Sequence, residues 1–278
     1  MDSADFDLIN QKNPLNSLTE FCMKIAITGK GGVGKTTIAA FLAKAWVKKG
    51  FKVLAIDSDP VSSLAEALGY PHPEKIIPLS EMADLIEERT GAKPGKIGQM
   101  FKLNPKVDDL PEKIAYEHEG IKIIVMGGVK TGGSGCVCPE NSLIKSLVSH
   151  LLLDRNERVV IDMEAGVEHL GRATAEAVNW MIAVVEPGLR SIQAAIRIKE
   201  LAKQIGIKNV VAVGNKIKSP DDVNFITKNI DKIKIIGNIP YSDLIIKLDQ
   251  RESTGLNQKI DQEIGKIISF LETETILK

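Results

Sequence analysis

Gly29-Lys30-Gly31-Gly32-Val33-Gly34-Lys35-Thr36 is the stretch that decides the fold of this 278-residue chain. It fits the phosphate-loop pattern G-x-x-x-x-G-K-[ST], and Thr37 follows directly. Glycines carry no β-carbon, so backbone N–H groups can turn inward around phosphate oxygens. In such a loop Lys35 supplies a point charge to the β/γ-phosphates of a nucleotide, and the Thr36 hydroxyl is placed for Mg²⁺. The flanks agree. Lys24–Thr28 reads as a short buried strand. After the loop, Ile38, Phe41, Leu42 and Ala45 recur at i, i+3, i+4 and i+7, and Gly50 predicts the stop of that helix. Strand, loop and helix in this order put phosphates at a helix N-terminus, where the dipole favours anions.

Working outward, apolar strands alternate with amphipathic helices. The strands expected are Lys24–Thr28, Lys52–Asp57, Ile121–Gly127, Arg158–Asp162, Met181–Glu186, Asn209–Asn215 and Ile233–Ile239. Their continuous Val- and Ile-rich runs predict one α/β domain over 23–278. Its sheet is mostly parallel, of about seven or eight strands, with helices on both faces. Right-handed crossovers then bring Gly29–Thr36, Asp57–Pro60, Gly127–Asn141 and Asp162–Gly166 to the carboxyl edge of the sheet. Met1–Cys22 is polar and irregular, and is set apart as an N-terminal extension without assigned function. Pro71–Gly120 is the one long excursion. Ser80 is expected to cap a short helix bearing Met82, Leu85 and Ile86, and the segment is either a docking surface or a covering layer.

Composition narrows the function. The 36 basic and 36 acidic residues balance, which argues against a general nucleic-acid binder. No apolar run approaches the ~20 residues of a membrane helix, and no secretory signal is visible. Leu256, Ile260, Ile264, Ile267, Ile268 and Leu271 form a stripe near the C-terminus, but the opposite face is mixed or acidic. A helix lying on anionic lipid would want Lys and Arg there, so core packing is the expectation, with no membrane partner. Three cysteines make a poor disulfide framework, and a phosphate-loop ATPase belongs in a reducing cytoplasm.

Three further segments carry site chemistry. Asp57-Ser58-Asp59-Pro60 closes the second strand with two acids at i and i+2, which invites metal and water chemistry beside a nucleotide. Val159-Val160-Ile161-Asp162 is a Walker-B pattern, an apolar strand ending in a carboxylate near Mg²⁺. Glu164 and Glu168, in the loop after this strand, read as solvated residues rather than a general base. In Asn215-Lys216-Ile217-Lys218, Lys218 stands where a guanine-reading aspartate would be and cannot accept a hydrogen bond, so adenine fits better.

The whole run Gly29–Thr37, with its additional Lys30, resembles the deviant-Walker family of MinD, ParA, the arsenite-pump ATPase and the nitrogenase iron protein. The resemblance implies a homodimer closed over two ATPs, with Lys30 reaching the partner's phosphates as an arginine finger does. It implies an ATP site made by Gly29, Lys30, Gly31, Gly32, Val33, Gly34, Lys35, Thr36 and Thr37. Asn215 would lie at the base edge, and a Pro240-Tyr241 turn would close the other side of the base. Mg²⁺ would be held by Thr36, Asp57 and Asp162. Lys30, Lys35 and Asp59 would be catalytic, Asp59 orienting the attacking water. Gly166, in Asp162-Met163-Glu164-Ala165-Gly166, matches the family's second switch.

Cys136-Val137-Cys138 follows the third strand and precedes an expected helix Ser142–Leu153. A disulfide between residues two apart would be strained, so a metal or free thiols are favoured over a bridge, with an inert buried pair as the bland reading. Zn²⁺ wants four ligands, and no third lies nearby in sequence. The dimer implied by Lys30 would supply four thiolates, suited to Zn²⁺ or to Ni²⁺. Cys-x-Cys-Pro-Glu-Asn, together with Asp162–Gly166 and the phosphate loop, resembles the CooC-type accessory ATPases. These assist nickel insertion into carbon monoxide dehydrogenase and related acetyl-CoA synthase enzymes. The expected function is therefore that of an ATP-dependent metallochaperone with a nickel enzyme as client. The alternatives are a reductase sharing a [4Fe-4S] cluster, like the nitrogenase iron protein, and a ParA- or MinD-like positioning ATPase.

Overall fold

The computed structural model describes residues 22–59, 61–96, 98–127, 139–153, 157–164, 175, 177–245 and 258–277. Among them, β1 (Lys24–Thr28), β2 (Val53–Asp57), β3 (Tyr116–His118), β4 (Ile121–Val125), β5 (Arg158–Asp162), β6 (Trp180–Val185), β7 (Val210–Ile217) and β8 (Lys234–Pro240) form one sheet. Its order is β3-β4-β2-β5-β1-β6-β7-β8, and every pairing is parallel except β3 with β4. The chain is thus a single α/β domain of the phosphate-loop type.

Every residue of β1, β2, β5 and β6 is buried, as expected for strands covered on both faces. The pleat sends alternate side chains to opposite layers. Ile25, Ile27 and Val160 face α1 (Lys35–Lys48) and α2 (Leu64–Leu68). Ala26, Val159 and Ile161 face α3 (Ala83–Thr90), α4 (Leu110–Ile114) and α5 (Pro139–Leu153). Beyond them α6 (Leu189–Ile205) and α7 (Pro220–Asn229) cover β6 and β7 through Ile192, Ala195 and Ile226. Helix α1 stops as expected, with Gly50 at φ 87° just past its end.

The last helix, α8 (Gln258–Ile276), buries Ile260, Ile264, Ile267, Ile268 and Leu271 in the same cluster as Ile239 of β8. Its apolar stripe is core. Leu256 lies outside the described residues. No helix among the described residues is long and apolar enough to cross a membrane.

The excursion differs from expectation in two places. Ser80 does not cap a helix. Residues Leu79–Glu81 make a 3₁₀ turn, fixed by the Ser80 N–H donating to the Met126 carbonyl at 3.1 Å, and α3 starts only at Ala83 with Met82 before it. Strand β3 was not expected. It joins β4 through Glu119 (φ 48°) and Gly120 (φ 77°), two consecutive positive-φ residues of the sort a tight hairpin uses. The excursion is a covering layer. Leu79, Ile86, Val107 and Leu110 pack on Leu143, Ile144 and Leu147 of α5, and Arg89 makes a two-pronged pair with Asp109 at 2.8 Å.

Candidate functional site

Strands β2, β5 and β1 end side by side. Asp57 is the register partner of Asp162 across β2 and β5, and Ile27 that of Asp162 across β1 and β5. The loops that follow therefore meet on one carboxyl edge, where open α/β sheets bind ligands. Backbone and hydroxyl bonds lace them together. The Ser58 N–H donates to the Asp162 carbonyl and the Met163 N–H to the Ile27 carbonyl, both at 2.9 Å. The Thr28 hydroxyl donates to the Glu164 carbonyl at 3.0 Å.

The phosphate loop needs glycine at its two anchoring points. Gly34 has φ 92°, and a β-carbon there would overlap the Asn215 side-chain amide. At Gly29 (φ 153°) a β-carbon would lie 2.6 Å from the Val184 carbonyl oxygen. Helix α1 begins directly afterwards at Lys35, which is buried, while Lys30, Thr36 and Thr37 are half-buried and Gly31 and Gly32 are exposed. Val33 is fully buried beneath the loop.

The two strand-end carboxylates are both buried but differ in their partners. Asp57 spends its acceptor capacity on the following loop: Oδ1 accepts from the Asp59 N–H (3.1 Å), and Oδ2 from the Ser62 hydroxyl (2.6 Å) and the Ser63 and Leu64 N–H groups (3.1 and 3.0 Å). Burial raises its pKa, and these hydrogen bonds oppose the shift. Neither Asp162 oxygen receives a hydrogen bond of good geometry among the described residues, although the Thr36 hydroxyl lies close enough to favour its charged form. Burial pushes its pKa up to about 7; Thr36 and Lys35 pull it down, while Asp57 and Asp59 add repulsion. A buried carboxylate without a partner beside a second acid is a place for a cation, because an uncompensated buried charge is costly. Asp59 is half-buried, and its Oδ1 accepts from the Val61 N–H at 3.0 Å.

On the other side of the loop, Asn215 is buried and donates through Nδ2 to the Val33 carbonyl at 2.8 Å. Its buried Oδ1 has no partner among the described residues. Pro240 is not in a turn but ends β8, opposite Ile217. Tyr241 follows directly; its N–H donates to the Ile217 carbonyl at 2.8 Å and its ring lies 4.8 Å from the Lys218 ammonium. The structure thus brings Gly29–Thr37, Asp57, Asp59, Asp162 and Asn215 onto one edge. Glu164 is exposed. Cys136, Cys138, Gly166 and Glu168 lie outside the described residues, among which no group of three or more His, Cys, Asp or Glu side chains suited to a metal occurs. The sequence reading missed Lys216, which touches the phosphate loop, and Glu186, which holds the Lys216 ammonium.

A family model, the CobQ/CobB/MinD/ParA nucleotide binding domain, matches residues 24–255. This chain belongs to that family. Among family relatives, the carbon monoxide dehydrogenase accessory protein CooC of Rhodospirillum rubrum is 49% identical over 230 residues. The match covers 82% of this chain and 87% of that protein. An uncharacterized ATP-binding protein of Methanocaldococcus jannaschii is 46% identical over 252 residues, with 90% and 97% covered. Of solved structures, the cell division ATPase MinD of Pyrococcus furiosus superposes with a TM-score of 0.64 at 17% identity, covering 92% of this chain and all of that one. At that identity the likeness speaks for the fold.

Proposed function

We propose that this protein is a dimeric, Mg²⁺-dependent ATPase of the reducing cytoplasm that serves the maturation of carbon monoxide dehydrogenase or a related nickel enzyme. The observation that carries the client is the 49% identity to CooC across 82% of the chain. The observation that supports the ATP site is the orphaned, buried Asp162 carboxylate on the strand beside the phosphate loop.

In this reading the loop N–H groups and Lys35 bind the β- and γ-phosphates, and Asn215 and Pro240 flank adenine. Thr36 and Asp162 would hold Mg²⁺. Asp57, with its oxygens already engaged, would support the Mg²⁺ water shell. The ion supplies charge neutralisation on the phosphates. Asp59 orients a water toward the γ-phosphorus; the new P–O bond forms as the bond to the β–γ bridging oxygen breaks, leaving ADP and phosphate. Lys30 of each chain neutralises charge in the other chain's site. Closing and reopening the dimer then sets the geometry of a site built from Cys136 and Cys138 of both chains, and Ni²⁺ or Zn²⁺ is the cargo held there.

The test is metal titration with light scattering on wild-type protein, a C136S/C138S variant and K30A. The expected result is one ion per dimer in the wild type and none in the double variant, with ATP binding kept. K30A should bind ATP but fail to dimerise with it. One ion per chain, or full metal binding without the cysteines, contradicts the shared site, and ATP-driven dimerisation of K30A contradicts its role across the interface.

A further inference from the structure

Strand β7 is irregular where it meets the phosphate loop. Its pairing with β8 shifts register between Gly214 and Ile217, and Lys216 within that shift has φ 58°. In a regular strand consecutive side chains point to opposite faces. A bulge removes that constraint by re-aiming one side chain. Here it lets two consecutive residues reach the same loop. Asn215 Nδ2 donates to the Val33 carbonyl at 2.8 Å, and the Lys216 ammonium donates to the Gly32 carbonyl at 2.6 Å. The ammonium is held in turn by Glu186, just past the end of β6, with Nζ and Oε2 3.1 Å apart. The Glu186 N–H is itself fixed, donating to the Ser191 hydroxyl at 3.1 Å.

We infer that Lys216 and Glu186 are positioning residues that pre-form the phosphate cradle. In a trans peptide the C=O and N–H point opposite ways. Pinning the Gly32 and Val33 carbonyls outward therefore fixes the peptide planes that carry the Val33 and Gly34 N–H groups. Gly31 and Gly32 have no neighbours that a β-carbon would meet, and apart from the long bond of the Val33 N–H to the Lys30 carbonyl (3.3 Å) the Lys216 and Asn215 contacts are what tie this turn down. The left-handed backbone of Lys216 fits this role, since a non-glycine residue persists there only where its surroundings impose it. A pre-organised cradle binds phosphates more tightly because less ordering is left to do on binding. The inference rests on the ATP-site reading above and adds residues that the phosphate-loop motif does not contain.

The experiment titrates ATP and ADP calorimetrically into wild type, K216A, K216R, E186Q and K35A, and follows melting of each protein without nucleotide. K216A should bind both nucleotides about tenfold more weakly, the scale of one hydrogen bond to a charged group. Its nucleotide-free melting should stay unchanged, because the side chain is partly exposed and supports no core. K216R, which keeps a cationic donor, should recover to within about threefold of wild type, and E186Q should fall between K216A and wild type. K216A within about twofold of wild type, K216R no better than K216A, or a loss that merely tracks lowered melting each overturn the inference. K35A separates this outcome from failure of the site itself. If K35A loses ATP and K216A does not, only the latch is wrong; if neither loses ATP, the site assignment falls too.

Discussion

The two ends of β5 are opposites. At the amino end, the buried Arg158 guanidinium sits 4.2 Å from the Phe51 ring centroid and 5.6 Å from that of Trp46, with Glu272 of α8 at 3.7 Å. At the carboxyl end, Asp162 is equally buried, has no ion pair or well-formed hydrogen bond among the described residues, and meets only the phosphate-loop groups Thr36 and Lys35. Arg158 keeps Nε and Nη1 without hydrogen bonds, yet aromatic faces and a carboxylate offset its charge. Burial still lowers its pKa, with Glu272 opposing. The lesson is that one strand closes a charge into the fold at one end and holds a charge open to a ligand at the other. The amino end is where stability is to be lost, the carboxyl end where activity is.

Asp59→Ala should give the largest effect and confine it to the carboxyl end. ATP hydrolysis should fall by on the order of 10²–10⁴-fold, the contribution of a positioned acid–base group, while ATP affinity and melting stay as in wild type. A D59A protein that hydrolyses ATP normally removes Asp59 from the chemistry.

Arg158→Ala probes the amino end and should reverse the pattern. It leaves a void under Trp46 and Phe51 and takes a counter-charge from Glu272, for a loss of about 2–3 kcal/mol in urea unfolding. ATP affinity should remain within about twofold. Arg158→Met, filling the space without a charge, should regain most of that stability. If R158A weakens ATP binding more than it destabilises the fold, the division between the two ends is not real.

Much of this contrast was legible in the chain. The Val- and Ile-rich runs located seven strands to within two residues at each end, because strands buried on both faces leave a continuous apolar signature. Glycine spacing located the phosphate loop, and the stripe from Ile260 to Leu271 was rightly read as core. What escaped was non-local or too short. Strand β3 has three residues, none of them buried. The engagement of Asp57 by Ser62, Ser63 and Leu64 depends on how the next loop folds back. Lys216 was hidden because alternation assigns neighbours to opposite faces, and no residue in Asn215–Lys218 announces a bulge. The tilt of Glu119-Gly120 into a hairpin was the one missed feature with a local signal, glycine after a polar residue before an apolar run.

Thermal melting of wild type and Asp162→Asn, each with and without Mg²⁺ and ATP, tests the central claim most directly. Asp162 is an acid whose pKa is raised by folding, so the native state binds more protons than the unfolded chain between about pH 4 and about 7. Without ligand, wild-type stability should therefore fall as pH rises through that window, and the penalty should be complete at pH 8. D162N carries no charge to bury. At pH 8 it should melt several degrees above wild type without ligand, with the gap shrinking at pH 5.5. With Mg²⁺ and ATP the order should invert, because only wild type gains the full stabilisation of a ligand that binds the native state. A D162N protein that melts below wild type without ligand at pH 8, or gains as much as wild type from Mg²⁺ and ATP, would contradict the claim that β5 holds this carboxylate open for a metal-bound nucleotide.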